Sequence, residues 1–91
     1  MKLIRTDRFK DDFRRLPTSL QRRTEKALRL FAENLRHPSL RAKKMGGQLD
    51  TAGREIWEAR VTKAYRFTFV IDRDTYILRR VGPHEEALRK P

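Results

Sequence analysis

Hydrophobic positions in the first part of the chain recur with a helical period. A short alternating segment, Lys2–Thr6, predicts a first strand, and Phe9 and Phe13 then give a short helix one apolar face. A second helix begins near Pro17, a residue favoured in the first turn, and ends before Pro38, because the residue ahead of a proline disfavours the helical region. Its inward positions follow the same spacing: Leu20, Thr24, Ala27, Leu28, Phe31 and Leu35.

The period changes from helical to alternating in the second half of the chain. Three segments rich in β-branched and aromatic residues predict strands there: Ile56–Val61, Tyr65–Ile71 and Thr75–Val81. We expect a loop over residues 39–54, which contain Gly46-Gly47, and a polar tail over residues 82–91 with one helical turn. The sequence therefore predicts a single α+β domain over residues 1–91. Its order is β-α-α-β-β-β, with two N-terminal helices packed on one face of a mostly antiparallel four-stranded sheet.

Pairing the last three strands separates apolar from charged side chains. With hairpin loops of three and two residues, Trp57 lies opposite Phe69 and Ala59 opposite Phe67, on the face that the helices must cover. A slip of one residue in the pairing would exchange the two faces of the sheet. The positions of the charged residues on the face away from the helices therefore depend on this register.

The opposite face of the predicted sheet gathers charge at one end. The pairing places Glu58 beside Thr68 and Arg60 beside Arg66. It also places Arg79 beside Thr68, and Arg66 near Val81, shortly before His84. Three arginines, a glutamate and a histidine therefore converge in the prediction.

The net charge narrows the choice of partners. Lys and Arg number 23 against 12 Asp and Glu, which gives a formal net charge of +11 and favours a polyanion such as nucleic acid. The chain has no cysteine, no apolar run long enough for a membrane span and no signal-peptide pattern at its start. We expect a cytoplasmic protein with no membrane partner. The basic residues expected to contact RNA are Arg41, Lys43, Lys44 and Lys63, although the loop lysines and Arg41 are equally consistent with a solvated surface.

The charged face suits cleavage of RNA without a metal. Attack of a ribose 2′-hydroxyl on the adjacent phosphate needs a base, an acid and positive charge around the transition state. Arginine keeps its charge and binds two phosphate oxygens, and histidine titrates near neutral pH. Glu58 either serves as the base or orients an arginine. No cluster of metal-ligand type stands out, so we expect no metal and no cofactor.

Two stretches resemble the RelE/ParE superfamily of toxins, in particular RelE-like mRNA interferases of the YoeB and YafQ branches. They are IWEARVTKAYRFTFVIDRDTYILRRVGPHEEAL, residues 56–88, and MKLIRTDRFKDDFRRL at the start. By that resemblance, Arg66 matches the family's catalytic arginine and His84 its C-terminal catalytic position. Arg60, Arg79 and Glu58 come from the strand pairing. The resemblance also implies that mRNA is cut on the ribosome and that a cognate antitoxin binds the toxin.

The sequence leaves other interpretations open. Glu85 follows His84 where RelE and YoeB carry a nearby tyrosine, so the identity of the general base is open. A ParE-like inhibitor of DNA gyrase shares the fold and performs no RNA chemistry. A plain nucleic-acid-binding domain is the third possibility, but no helix-turn-helix, zinc-finger or RNP-type pattern supports it.

Overall fold

Three α-helices and five strands make up the part of the chain that the computed structural model describes, residues 2–91. In chain order the elements are β1 (Lys2–Arg5), α1 (Asp7–Arg15), α2 (Thr18–Glu33), a 3₁₀ helix (Pro38–Leu40), β2 (Lys43–Leu49), β3 (Glu55–Arg60), β4 (Tyr65–Asp72), β5 (Thr75–Pro83) and α3 (His84–Arg89). The sheet order is β1-β5-β4-β3-β2. Strand β1 runs parallel to β5, and the other neighbours are antiparallel. The predicted α+β class is confirmed.

Local side-chain contacts set the helix ends. Thr6 caps α1, because its hydroxyl oxygen accepts a hydrogen bond from the backbone N–H of Phe9 at 3.2 Å. Helix α2 starts directly after Pro17 and ends ahead of Pro38, as the sequence predicts, but it stops at Glu33, so Leu35 lies beyond it. At the start of the 3₁₀ helix, Nδ1 of His37 accepts a hydrogen bond from the backbone N–H of Ser39. His37 therefore has a capping role.

A fifth strand occupies part of the segment that the sequence predicts to be a loop. Strand β2 pairs antiparallel with β3, with Lys43 opposite Glu58 and Lys44 opposite Trp57. It lies at the edge of the sheet, and nearly all of its side chains are exposed. An exposed edge strand needs no alternating apolar pattern, and charged or small residues are common on such edges. The loop prediction over residues 39–54 is therefore wrong for residues 43–49.

The main core lies between the first two helices and the sheet. The ring of Phe31 on α2 packs against Phe67, Phe69 and Tyr76, with ring centroids 5.3, 4.6 and 4.4 Å away. Phe9 on α1 is fully buried in the same cluster. Such aromatic packing combines large apolar burial with favourable edge contacts. The structure confirms that the two N-terminal helices cover the face that carries Phe67 and Phe69.

The predicted register holds for β3 and β4 and shifts by one residue on β5. The pairs Trp57–Phe69 and Arg60–Arg66 are as predicted. Between Thr68 and Phe69 the ladder is irregular, because β5 carries one extra residue there. Thr68 therefore faces Arg80 rather than Arg79.

The one-residue shift in pairing continues from this bulge to the end of β5. Arg66 faces Gly82 rather than Val81. Val81 faces Phe67 and is buried in the main core.

The tail of the chain covers part of the sheet face opposite α1 and α2. Helix α3 packs against β4 and β5, and its Ala87 is buried. After the helix, the main-chain oxygen of Pro91 accepts hydrogen bonds from Oγ1 of Thr68 at 3.1 Å and from Nε of Arg79 at 2.9 Å. The tail thus covers this face around Thr68, while Ile4 on β1 stays half exposed.

Candidate active site

Arg66 on β4 is held from two sides. Its Nε lies 3.6 Å from Oε1 of Glu58, and its Nη1 donates a hydrogen bond to the carbonyl oxygen of Thr62 at 3.0 Å. The side chains of Arg66 and Glu58 are 18% and 9% exposed, so the pair is largely shielded from water. Because the planar guanidinium has two fixed partners, its orientation is set before any ligand arrives.

The same hairpin anchors His84. The backbone N–H of His84 donates to the carbonyl oxygen of Ala64 at 2.7 Å, two residues beyond the carbonyl that holds Arg66. The imidazole of His84 is exposed at the start of α3. Arg60 lies opposite Arg66 in the ladder. The structure thus brings Glu58, Arg60, Arg66 and His84 to one end of the sheet, the site end.

Arg79 lies away from this group. It is the extra residue of the bulge, between the partners of Thr68 and Phe69, and its Nε donates a hydrogen bond to the main-chain oxygen of Pro91. The predicted proximity of Arg79 to Thr68 holds for the side chains, since both donate to the same oxygen. The structure does not bring Arg79 to the hairpin that holds Arg66 and His84.

The four basic residues expected to contact RNA occupy different places. Arg41 and Lys63 line an open cleft beside the β3–β4 hairpin. Lys43 lies opposite Glu58 at the edge of the sheet. Lys44 is engaged within the chain: its Nζ lies 2.8 Å from Oε2 of Glu55 and 5.7 Å from the ring centre of Trp57.

A buried ion pair that sequence reasoning missed ties α1 to β5. The carboxylate of Asp12 accepts hydrogen bonds from Nε and Nη2 of Arg80, at 2.6 and 3.2 Å, and from the backbone N–H of Val81 at 3.2 Å. Strand β1 pairs with β5 only as far as Leu78, so Asp12 satisfies an N–H that has no strand partner. The partners are 68 residues apart, and no local pattern connects them.

Two further findings concern metal ions and membranes. Within residues 2–91, no group of three or more acidic or histidine side chains is placed to hold a metal ion. No helix in that part of the chain is long and apolar enough to cross a membrane.

The fold is that of small toxins of the RelE and YoeB type. A RelE in a RelB–RelE antitoxin–toxin complex from Methanococcus jannaschii superposes with a TM-score of 0.72 at 19% identity, covering 94% of this chain and 95% of that one. A YoeB/ParE toxin from Agrobacterium tumefaciens gives 0.73 at 17% identity, with 92% and 99% covered. A metal-bound toxin from Helicobacter pylori gives 0.71 at 18% identity, with 94% and 97% covered. Identities this low show the fold alone.

The sequence itself matches a toxin family over nearly its whole length. Residues 3–88 match the family described as the ParE toxin of the type II toxin–antitoxin system parDE. The chain therefore belongs to this family, within the RelE/ParE superfamily, and is a toxin of a toxin–antitoxin system. No curated protein sequence matches it significantly.

Proposed function

We propose that this toxin is a metal-independent endoribonuclease that cleaves mRNA on the ribosome. The observation that carries the proposal is the shared anchoring of Arg66 and His84 by the carbonyl oxygens of Thr62 and Ala64. The β3–β4 hairpin thus holds both the guanidinium of Arg66 and the main chain of His84 through carbonyl oxygens that are two residues apart. That combination is what phosphate-ester cleavage by side chains requires.

The reaction is a transesterification within the RNA strand. A base removes the proton of the ribose 2′-hydroxyl, whose oxygen attacks the adjacent phosphorus, and the bond from phosphorus to the 5′-oxygen breaks. The departing oxygen takes up a proton, which leaves a 2′,3′-cyclic phosphate and a 5′-hydroxyl. We assign the stabilisation of the phosphorane charge to Arg66 and Arg60, and a proton transfer to His84.

Glu58 and Arg79 receive other roles in this proposal. Because the carboxylate of Glu58 is buried against Arg66, we assign it a positioning role for that arginine. Arg79 already donates to Pro91 and serves to hold the segment that follows α3. The general base is therefore His84 or a group on the substrate or the ribosome.

The same proposal names the partners. Relatives of this fold are found in RelB–RelE complexes from Methanococcus jannaschii and Pyrococcus horikoshii. We propose that a cognate antitoxin binds this toxin as well, and that the toxin acts in the cytoplasm on ribosome-bound mRNA. Phosphate contacts are assigned to Arg41, Lys43 and Lys63, and to Lys44 where its pair with Glu55 opens.

The test is single-turnover cleavage by Arg66→Ala, His84→Ala and the double variant. Removing the arginine should lower the rate by about 10²–10³, and removing the histidine by about 10²–10⁴. Because both act in one step, the combined loss should be less than the product of the single losses. His37→Ala is the matched control, since His37 caps the 3₁₀ helix and should leave the rate unchanged.

Two outcomes would contradict these assignments. A folded His84→Ala protein that cuts at the wild-type rate removes histidine from the mechanism. Full activity of Arg66→Ala as well would show that the site lies elsewhere. Circular dichroism of each variant supplies the folding control.

The second candidate is a ParE-like inhibitor of DNA gyrase, favoured by the family that residues 3–88 match. Pulse-labelling after induction separates the two functions. An endoribonuclease should stop protein synthesis first and leave cut messages. Arrest of DNA synthesis with intact messages would favour the gyrase inhibitor and overturn the proposed reaction.

A further inference from the structure

A basic cleft lies beside the site end, on the side of α2. One part lies between the 3₁₀ helix and the β3–β4 hairpin and has a volume of about 760 Å³. A smaller part, about 200 Å³, continues along α2. Arg23, Ser39, Arg60 and Val61 line both parts, so the two form one continuous basic cleft.

The basic cleft contains five cations and no acidic residue. The lining cations come from three regions of the fold and are Arg23, Lys26, Arg41, Arg60 and Lys63. Within residues 2–91, none of the ion pairs in the structure involves any of the five. Their charge is therefore available for an anionic ligand, and neighbouring cations of one sign focus the field in a cleft.

The floor of the basic cleft is apolar. Ala27, Leu30 and Val61 line it between the cations, and the last two side chains are partly exposed. A ligand that suits it presents phosphates to the rim and flat, less polar groups to the floor. A single nucleic-acid strand has this character, because its bases are unstacked and free to lie on apolar surface.

We infer that the basic cleft is a subsite for a single-stranded RNA backbone that leads to the site end. The β3–β4 hairpin makes the connection, since Thr62 and Ala64 line the cleft and their carbonyl oxygens hold Arg66 and His84. The inference rests on the proposed function for the identity of the ligand. It adds Arg23 and Lys26 as residues that bind the strand outside the scissile phosphate.

The probe is a short, fluorescently labelled 2′-O-methyl oligoribonucleotide, which lacks the attacking hydroxyl and cannot be cut. Its affinity is measured against salt concentration for wild type and for Arg23→Ala/Lys26→Ala. The loss of two phosphate contacts should lower the slope of log K against log salt by about 1.4, and the affinity at 0.1 M salt by about 25-fold.

The matched control comes from the same helix. Arg22→Ala/Arg29→Ala removes two exposed charges that line a different groove, beside Phe13 and Glu25, and should leave the slope nearly unchanged. A second variant, Arg23→Lys/Lys26→Arg, keeps the charge and should keep the slope. Wild-type binding by this variant would show that substitution at these two positions does not by itself disrupt the fold.

Three outcomes would overturn the inference. If Arg23→Ala/Lys26→Ala and Arg22→Ala/Arg29→Ala lost the same affinity for RNA, only the overall charge of the protein would attract RNA. Equal losses for a duplex of the same sequence would exclude a preference for a single strand. If Arg23→Ala/Lys26→Ala lost binding to an acidic peptide but bound RNA like the wild type, the cleft would be assigned to a protein partner. Because the probe cannot be cleaved, each result stands whether or not the toxin is a nuclease.

Discussion

Replacement of Asp12 by asparagine tests the bridge between α1 and β5. The carboxylate accepts two hydrogen bonds from Arg80 and one from Val81, and only 9% of its side chain is exposed. Asparagine keeps the shape but loses the charge, and it turns one acceptor into a donor that faces the guanidinium. Arg80 would then remain a largely buried cation without its anion.

The size of the effect follows from the burial of the two partners. Removing one partner of a buried ion pair costs about 3–5 kcal/mol. The Arg80 side chain is 20% exposed and also reaches the main-chain oxygen of Lys90, and asparagine still accepts from Val81. We therefore expect Asp12→Asn to lower the free energy of unfolding by about 2–3 kcal/mol, a large part of the roughly 5–13 kcal/mol typical of a domain this size.

Urea unfolding followed by circular dichroism measures this loss. Asp11→Asn is the control: Asp11 is the neighbouring acid on α1, half exposed and paired with exposed Arg14, and its loss should cost less than about 0.5 kcal/mol. If Asp12→Asn unfolded at the same urea concentration as Asp11→Asn, the buried bridge between α1 and β5 would not stabilise the fold.

Two other predictions concern acid and metal. Burial alone raises the pKa of Asp50, but hydrogen bonds from Arg54 and Ala52 and the Arg54 charge outweigh it, so the pKa lies below its ordinary value. The stability from ionised Asp50 is present at neutral pH and is lost as the pH falls below about 4 through the folded-state pKa. Asp50→Asn should be less stable in urea at pH 7 and should lose less stability on acidification; an equal loss would exclude Asp50 as the acid-sensitive group. Toxin treated with EDTA and returned to magnesium with ribosomes should cut at the untreated rate, and activity restored only by zinc, copper or manganese would end the metal-free mechanism.

The sequence predicted the parts of the fold that periodicity determines. The aromatic alternation of β3 and β4 set the Trp57–Phe69 and Arg60–Arg66 pairs, and through them it placed Glu58 beside Thr68, on the same face as Arg66. The helices followed from apolar spacing and from the two prolines that bound α2. A one-residue slip would have exposed the whole aromatic set, so these pairings were strongly specified.

The rest depended on contacts that leave no local pattern. Strand β2 is exposed, so its residues carry no alternation, and it is defined by pairing with β3. The extra residue on β5 moved the partner of Thr68 from Arg79 to Arg80, and a bulge has no signature in an alternating run. The bond from Arg79 to Pro91 also required the folded tail.

The parallel pairing of β1 with β5 has a consequence for how the toxin folds during synthesis. Thr6 at the end of β1 donates a hydrogen bond to the carbonyl oxygen of Leu78, which the ribosome adds 72 residues later. Helices α1 and α2 are made long before the strands that bury their apolar faces. Contacts this distant in sequence slow folding, because the loop must close before they form. Helix α1 and strand β1 therefore lack their partner until β5 has left the ribosome, so the edge strand that is made first is paired last.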